Sequence, residues 1–215
     1  MKEKIKKLLA EKRYDELIAL SSSGKSVFRM LISLTYDKKT LISWRAIEAV
    51  GLVSKEIART RPELVRNTVG RLLWMIRDES GGIGWSSPEM LGEITRNNPE
   101  QFSDIAPIIV SFLDEDMLAA GVLRAIGRIG QVNPGLVKHA MPAILPFLHS
   151  PDPALRGLAA CAIGEIGSAG AIGELERLQD DISLIVIYEK GELREKTVGE
   201  LAESSIEKLG GILEK

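Results

Sequence analysis

The sequence predicts an all-α chain, a right-handed α-α superhelix of about five helical pairs with a small β-hairpin inserted in the last. Three observations carry that expectation. An apolar pattern closed by glycine returns four times: WRAIEAVGLVS from Trp44, WSSPEMLGEIT from Trp85, AGVLRAIGRIG from Ala120 and GLAACAIGEIG from Gly157. Its shared glycines, Gly51, Gly92, Gly127 and Gly164, lie 41, 35 and 37 residues apart. A second stretch of helical period precedes each return, and Pro62, Pro99, Pro134, Pro151 and Pro153 fall between stretches, where proline starts helices but does not interrupt them. A single helical pair cannot bury its own apolar stripe, so the pairs must stack.

The elements follow in order. Residues 1–26 form an N-terminal helical cap: Lys2–Ala10 and Tyr14–Leu20 read as a short helical pair, followed by a Ser-rich loop. Repeats fill 27–181. A helix from Val27 to Tyr36 pairs with the Trp44 helix, and 65–76, 102–113, 136–148 and 171–178 are the first helices of later pairs. Pro107, Pro142 and Pro146 sit inside two of these, where kinks or late starts are expected. ISLIVIYEKGELREKTV (182–198) is β-branched and aromatic with Gly191 at a turn, which predicts the hairpin, placed to cover one end of the stack. A degenerate copy, ELAESSIEKLG from Glu200, makes the capping helix of the last segment, 182–215.

Composition narrows function by exclusion. The 215 residues include one Cys and two His, too few for a disulfide or a multi-Cys or His-rich metal cage. No run approaches the roughly 20 apolar residues of a membrane span, and no signal peptide is recognised, so the expectation is a cytoplasmic protein without cofactor or metal. Net charge is −2. It conceals an asymmetry: residues 1–71 carry 16 Lys and Arg against 8 Asp and Glu, whereas 72–215 carry 12 against 22. The basic segment can attract an acidic partner, protein or nucleic acid, or can simply reflect a Lys-rich first helix.

LHSPDPALRGLAACAIGEIGSAGAI (148–172) resembles the HEAT-like repeat of the type described in phycobilisome bilin lyases. The matching residues are Asp152 and Pro153, then Arg156, then the small and aliphatic run Ala159, Ala160, Ala162 and Ile163, closed by Gly164, Ile166 and Gly167. The match is fair over 113–130. It is loose over 41–54 and 85–95, where Ser43 and Gly84 replace the arginine. The resemblance implies an α-solenoid used as an interaction surface, and such a fold alone names no activity.

Helical geometry divides each second helix into two faces. Ala46, Ala49, Val50 and Val53, like Ala159, Ala162, Ile163 and Ile166, form the face expected to be buried. The opposite face carries Trp44, Glu48, Gly51 and Lys55 in one copy and Trp85, Glu89, Gly92 and Arg96 in the next. Arg124 and Gly127 belong to the third. If the second helices line the concave side, these residues form a binding surface on which Trp44/Glu48 and Trp85/Glu89 make two rungs. Large apolar groups on such a face usually meet a partner. The competing expectation is that both tryptophans wedge between repeats. Trp74, in LLWMI, is expected in the core. In RDESGGIGWSS (77–87), Asp78 and Glu79 flank a glycine-rich turn, which favours a cationic group over a phosphate.

Other motifs lead nowhere. SSSGKS (21–26) ends like a P-loop, but Ala19 stands where glycine is required and a helix precedes it. Gly164 and Gly167 follow no strand. Cys161 has no histidine base nearby in the repeat register. His139 and His149, about 15 Å apart along a helix, cannot share a metal. Glu48 and Glu89 are a carboxylate pair with no partner favouring acid–base chemistry. The expected function is therefore a non-catalytic protein- or peptide-binding scaffold. One alternative is nucleic-acid binding of the kind seen in DNA-alkylation-repair glycosylases, which are solenoids with tryptophans near a carboxylate. The acidic C-terminal half opposes it, and glutamates stand where that family uses aspartate. Another is a bilin-lyase-like cofactor chaperone.

Overall fold

The computed structural model describes residues 1–23, 25–77 and 86–213. Among them the helices are α1 (Lys2–Ala10), α2 (Tyr14–Ala19), α3 (Lys25–Ile32), α4 (Leu41–Ala58), α5 (Pro62–Arg77), α6 (Ser87–Asn97), α7 (Ile105–Val110), α8 (Asp116–Gly130), α9 (Met141–Ile144), α10 (Pro153–Ile166), α11 (Ile172–Glu176) and α12 (Val198–Leu213). Strands β1 (Leu184–Glu189) and β2 (Glu192–Thr197) pair as a hairpin between α11 and α12. No helix among the described residues is long and apolar enough to cross a membrane. The chain forms two compact units, Met1–Ser103 with Lys190–Glu192, and Asp104–Glu189 with Leu193–Lys215.

Boundaries follow side-chain chemistry. The Thr40 side chain caps α4 by accepting from the Ser43 N–H. Asp152 caps α10 by accepting from the Ala154 N–H, with Pro153 in the first turn, and Gly167 ends that helix in the left-handed conformation at φ 81°. The stretch 136–148 breaks as its prolines require: only Met141–Ile144 is α-helical, between 3₁₀ turns.

In the first unit, α4 is the centre. Its Ala46, Ala49, Val50 and Val53 are fully buried. Helices α4 and α6 meet at Gly51: a Cβ there would lie 2.6 Å from the Glu93 carbonyl oxygen and 2.9 Å from the Glu93 Cβ. Just beyond, Asn98 Nδ2 donates to Ser54 Oγ at 2.9 Å and to the Ile94 carbonyl at 2.9 Å, tying the end of α6 to α4. In the second unit Gly164 of α10 repeats the device, its Cβ position lying 2.9 Å from the Ser205 Cα of α12, whereas Gly127 of α8 faces Ala162 of α10 at ordinary contact distance, 3.5 Å to its Cα.

This corrects the division into faces. The glycine position, expected on an open surface, is where one second helix seats on the next, and at Gly51 and Gly164 only a missing side chain allows that approach.

The hairpin is where the sequence puts it, between α11 and α12. In the second unit Ile185 packs on Gly157 of α10, and Tyr188 packs on Arg124 of α8. Alternation along β1 buries Ile185 and Ile187 and exposes Leu184 and Val186. Its two-residue turn has Lys190 at φ 51° and Gly191 at φ 79°, the left-handed pair that a tight hairpin of matching twist requires.

Arg156, the arginine of the repeat motif, explains itself here. It donates to Asp181 Oδ2 at 2.8 Å, to the Ser150 carbonyl at 2.7 Å and to Ser183 Oγ at 3.2 Å. It thereby ties the start of α10 to the segment entering β1. Burial pushes the Asp181 carboxyl up, but hydrogen bonds from Ser183 and the Arg156 guanidinium more than offset this and hold it below its ordinary value. A depressed folded-state pKa gives stability that is complete above the unfolded value of about 3.9 and disappears as pH falls through the folded value. The stability advantage of the wild type over Asp181→Asn is expected to be constant above about pH 5 and to shrink below about pH 4. Urea titrations at fixed pH check this, and an advantage growing toward acid would contradict it.

Candidate functional site

The candidate residues of α4 and α6 come together, but through internal contacts. The Trp44 indole is half-buried, and its Nε1–H donates to the Lys38 carbonyl at 2.8 Å. Lys38 in turn reaches Glu89 Oε1 at 2.6 Å. Glu89, expected on an open face, is only 3% exposed, and its Oε2 has no hydrogen-bond partner among the described residues. It is buried rather than on a solvent face. Glu48 is half-buried and accepts from the Tyr14 hydroxyl at 3.0 Å. Arg96 is half-buried, 3.8 Å from Glu93 on its own helix. Lys55 is exposed. Asp78, Glu79 and Trp85 lie outside the described residues.

In the second unit Arg124 donates to the Tyr188 carbonyl at 2.8 Å and stands over the Tyr188 ring, 5.5 Å from its centroid. This side chain, expected on a binding face, packs the hairpin instead.

Lys38 is the member of this cluster that sequence reasoning misses. It sits in the loop before α4, outside the repeat register, so no periodicity marks it. Its ammonium compensates the otherwise uncompensated buried charge of Glu89.

Chemistry at these positions is constrained. Among the described residues no group of three His, Cys, Asp or Glu comes together as metal ligands. Cys161 of α10 is half-buried, and burial pushes its thiol up to about 11. At pH 8 roughly one such thiol in a thousand is thiolate. Alkylation by iodoacetamide at that pH is therefore expected to be slow in the folded protein and rapid in urea. Mass spectrometry reads the difference, and fast labelling of the folded state would refute the assignment.

The surface offers more where the sequence points elsewhere. Trp74, expected in the core, is 61% exposed. On α5 the buried stripe is Val65, Val69, Leu72 and Met75. The run LLWMI is apolar all round, so it cannot place every member inside. One turn back along α5, a cleft of about 140 Å³ opens against α3. Phe28, Arg29 and Ile32 line it from α3, and Leu64, Thr68 and Arg71 from α5.

No family model matches the chain. An uncharacterised protein of Archaeoglobus fulgidus is 32% identical over 168 residues, covering 75% of this chain and 80% of that protein. Among solved structures, a designed armadillo repeat protein in complex with the peptide (KR)4 superposes with a TM-score of 0.55 at 16% identity, covering 96% of this chain and 98% of that one. An engineered protein gives a TM-score of 0.53 at 17% identity, covering 98% and 96%. These structural likenesses show the fold, a stack of helical repeats.

Proposed function

From the premise that the chain is a HEAT-like repeat protein and belongs to the same family as the Archaeoglobus fulgidus protein, we propose that it is a non-catalytic scaffold module that binds a protein or peptide. One observation carries this reading: Trp74 stands 61% exposed on a regular helix beside an apolar cleft. A large aromatic group in that position is the usual anchor of a docking surface. The candidate groups for chemistry support the same reading. Trp44, Glu48, Glu89 and Arg124 each have an internal hydrogen-bond partner. Of the second-helix residues singled out in the sequence, Lys55 is exposed and can extend a binding surface.

Affinity capture from the source cell with wild type and Trp74→Ala tests the proposal. Proteins retained by the wild type and lost by the variant are the expected outcome. Identical sets would reject Trp74 as the anchor. The basic N-terminal segment keeps nucleic acid as the competing partner, and nuclease treatment before capture separates the two.

A further inference from the structure

We propose that the cleft between α3 and α5 of the first unit docks an acidic peptide segment that carries an aliphatic or aromatic anchor. This rests on the scaffold reading above and specifies the partner's chemistry. The cleft floor is apolar: Phe28 is buried, and Ile32 and Leu64 flank it. About 140 Å³ accommodates a single large side chain. Its two walls each present a guanidinium, Arg29 from α3 and Arg71 from α5. Both are exposed, and neither has a partner among the described residues.

Trp74 follows Arg71 by one helical turn and so extends the same stripe. Gly70, between Asn67 and Trp74, has no atom within 4 Å of where its Cβ would stand, which leaves a notch in that surface. Charge selects the occupant. Helices α3 and α5 together hold one acid, Glu63, against Lys25, Arg29, Arg66, Arg71 and Arg77. Arg66 is already engaged with the Gln101 carbonyl and the Phe102 ring. Arg29 and Arg71 are free to form forked hydrogen bonds with carboxylates on either side of a seated anchor. A nucleic-acid backbone would use the arginines but leave the apolar floor empty, so a peptide with both chemistries fits better.

The probes are dye-labelled peptides of about twelve residues, three helical turns, with Leu fixed at i and i+4 and the remaining positions all Glu, all Gln or all Lys. An oligodeoxythymidylate of similar length is the fourth probe. Fluorescence anisotropy at low salt reads binding. The Glu peptide is expected to bind at least about tenfold more tightly than the Lys peptide, and added salt should weaken it. Arg29→Glu combined with Arg71→Glu should reverse that preference, and Trp74→Ala should weaken every peptide. These positions are exposed, and circular dichroism confirms that the variants remain folded.

Equal binding of all three peptides with loss in Trp74→Ala would overturn the acidic partner and leave the scaffold reading standing. No peptide binding would overturn acidic docking, while the capture experiment separately judges the scaffold. Tighter binding of the oligonucleotide, lost with the two arginines, would make this a nucleic-acid surface and also overturn the proposal.

Discussion

Gly51→Ala is expected to destabilise the protein by about 2 kcal/mol, although alanine is the better helix former. The new Cβ would sit 2.6 Å from the Glu93 carbonyl oxygen and 2.5 Å from Asn97 Nδ2. The Asn97 amide can swing aside. The Glu93 carbonyl belongs to the backbone of α6, so the helix itself must retreat. That retreat would loosen the Asn98–Ser54 hydrogen bond and the packing of Val50 and Ile94, both fully buried. Overpacking of this kind costs about 3 kcal/mol, and the helix-propensity gain of about 1 kcal/mol offsets only part of it. Gly70→Ala is the internal control. Nothing lies within 4 Å of its Cβ position, so the same substitution one helix later should stabilise by about 1 kcal/mol. Urea denaturation of both variants decides the matter. Opposite signs support a packing role for the repeat glycine, and a Gly51→Ala protein as stable as Gly70→Ala would refute it.

The same glycine shows why the fold was legible in the sequence while the site was not. A glycine returning at a near-constant interval within apolar helices signals a stacked repeat whichever way it points. Its direction depends on what lies across from it. Gly51 has Glu93 opposite, Gly127 has Ala162 and Gly164 has Ser205, and these pairings are set by repeat-to-repeat stacking that no single-helix pattern encodes. Trp74 failed for a related reason: in an all-apolar run, periodicity cannot rank which member faces out. Lys38 lies in the loop before α4, off the repeat register, so its contact with Glu89 emerged only with the packing. The hairpin was readable from β-branched residues around Gly191, whereas its seat on Gly157 and Arg124 was not.

Arg45→Ala is expected to be the most damaging substitution of a charged residue, at about 3 kcal/mol. The guanidinium is 5% exposed and spends its donors on four acceptors. Nε donates to the Gly191 carbonyl at 3.0 Å, and Nη1 donates to the carbonyls of Leu9 at 3.1 Å and Ala10 at 2.7 Å. Nη2 donates to Glu192 Oε1 at 3.0 Å. The first three are backbone oxygens. Two of them, from Leu9 and Ala10, are at the end of α1; the Leu9 carbonyl also accepts from the Lys12 N–H at 3.2 Å, whereas the Ala10 carbonyl takes its hydrogen bond from Arg45. Removing Arg45 takes the donor from the Ala10 carbonyl and from the Gly191 carbonyl of the hairpin turn. Arg45→Met keeps much of the side-chain volume and should be nearly as harmful, which separates lost hydrogen bonding from a lost filler. Arg45→Lys offers a compact ammonium in place of the planar fork, cannot span acceptors on α1 and the turn at once, and should recover only part of the loss. Glu192 provides the contrast. Lys12 and then Arg45 hold its carboxyl below the ordinary value, but it is solvent-exposed enough that Glu192→Gln should leave the denaturation midpoint nearly unchanged. If Glu192→Gln proves as costly as Arg45→Ala, the ion pair rather than the backbone carbonyls holds this corner; if Arg45→Met is neutral, the carbonyls find water and the buried arginine is dispensable.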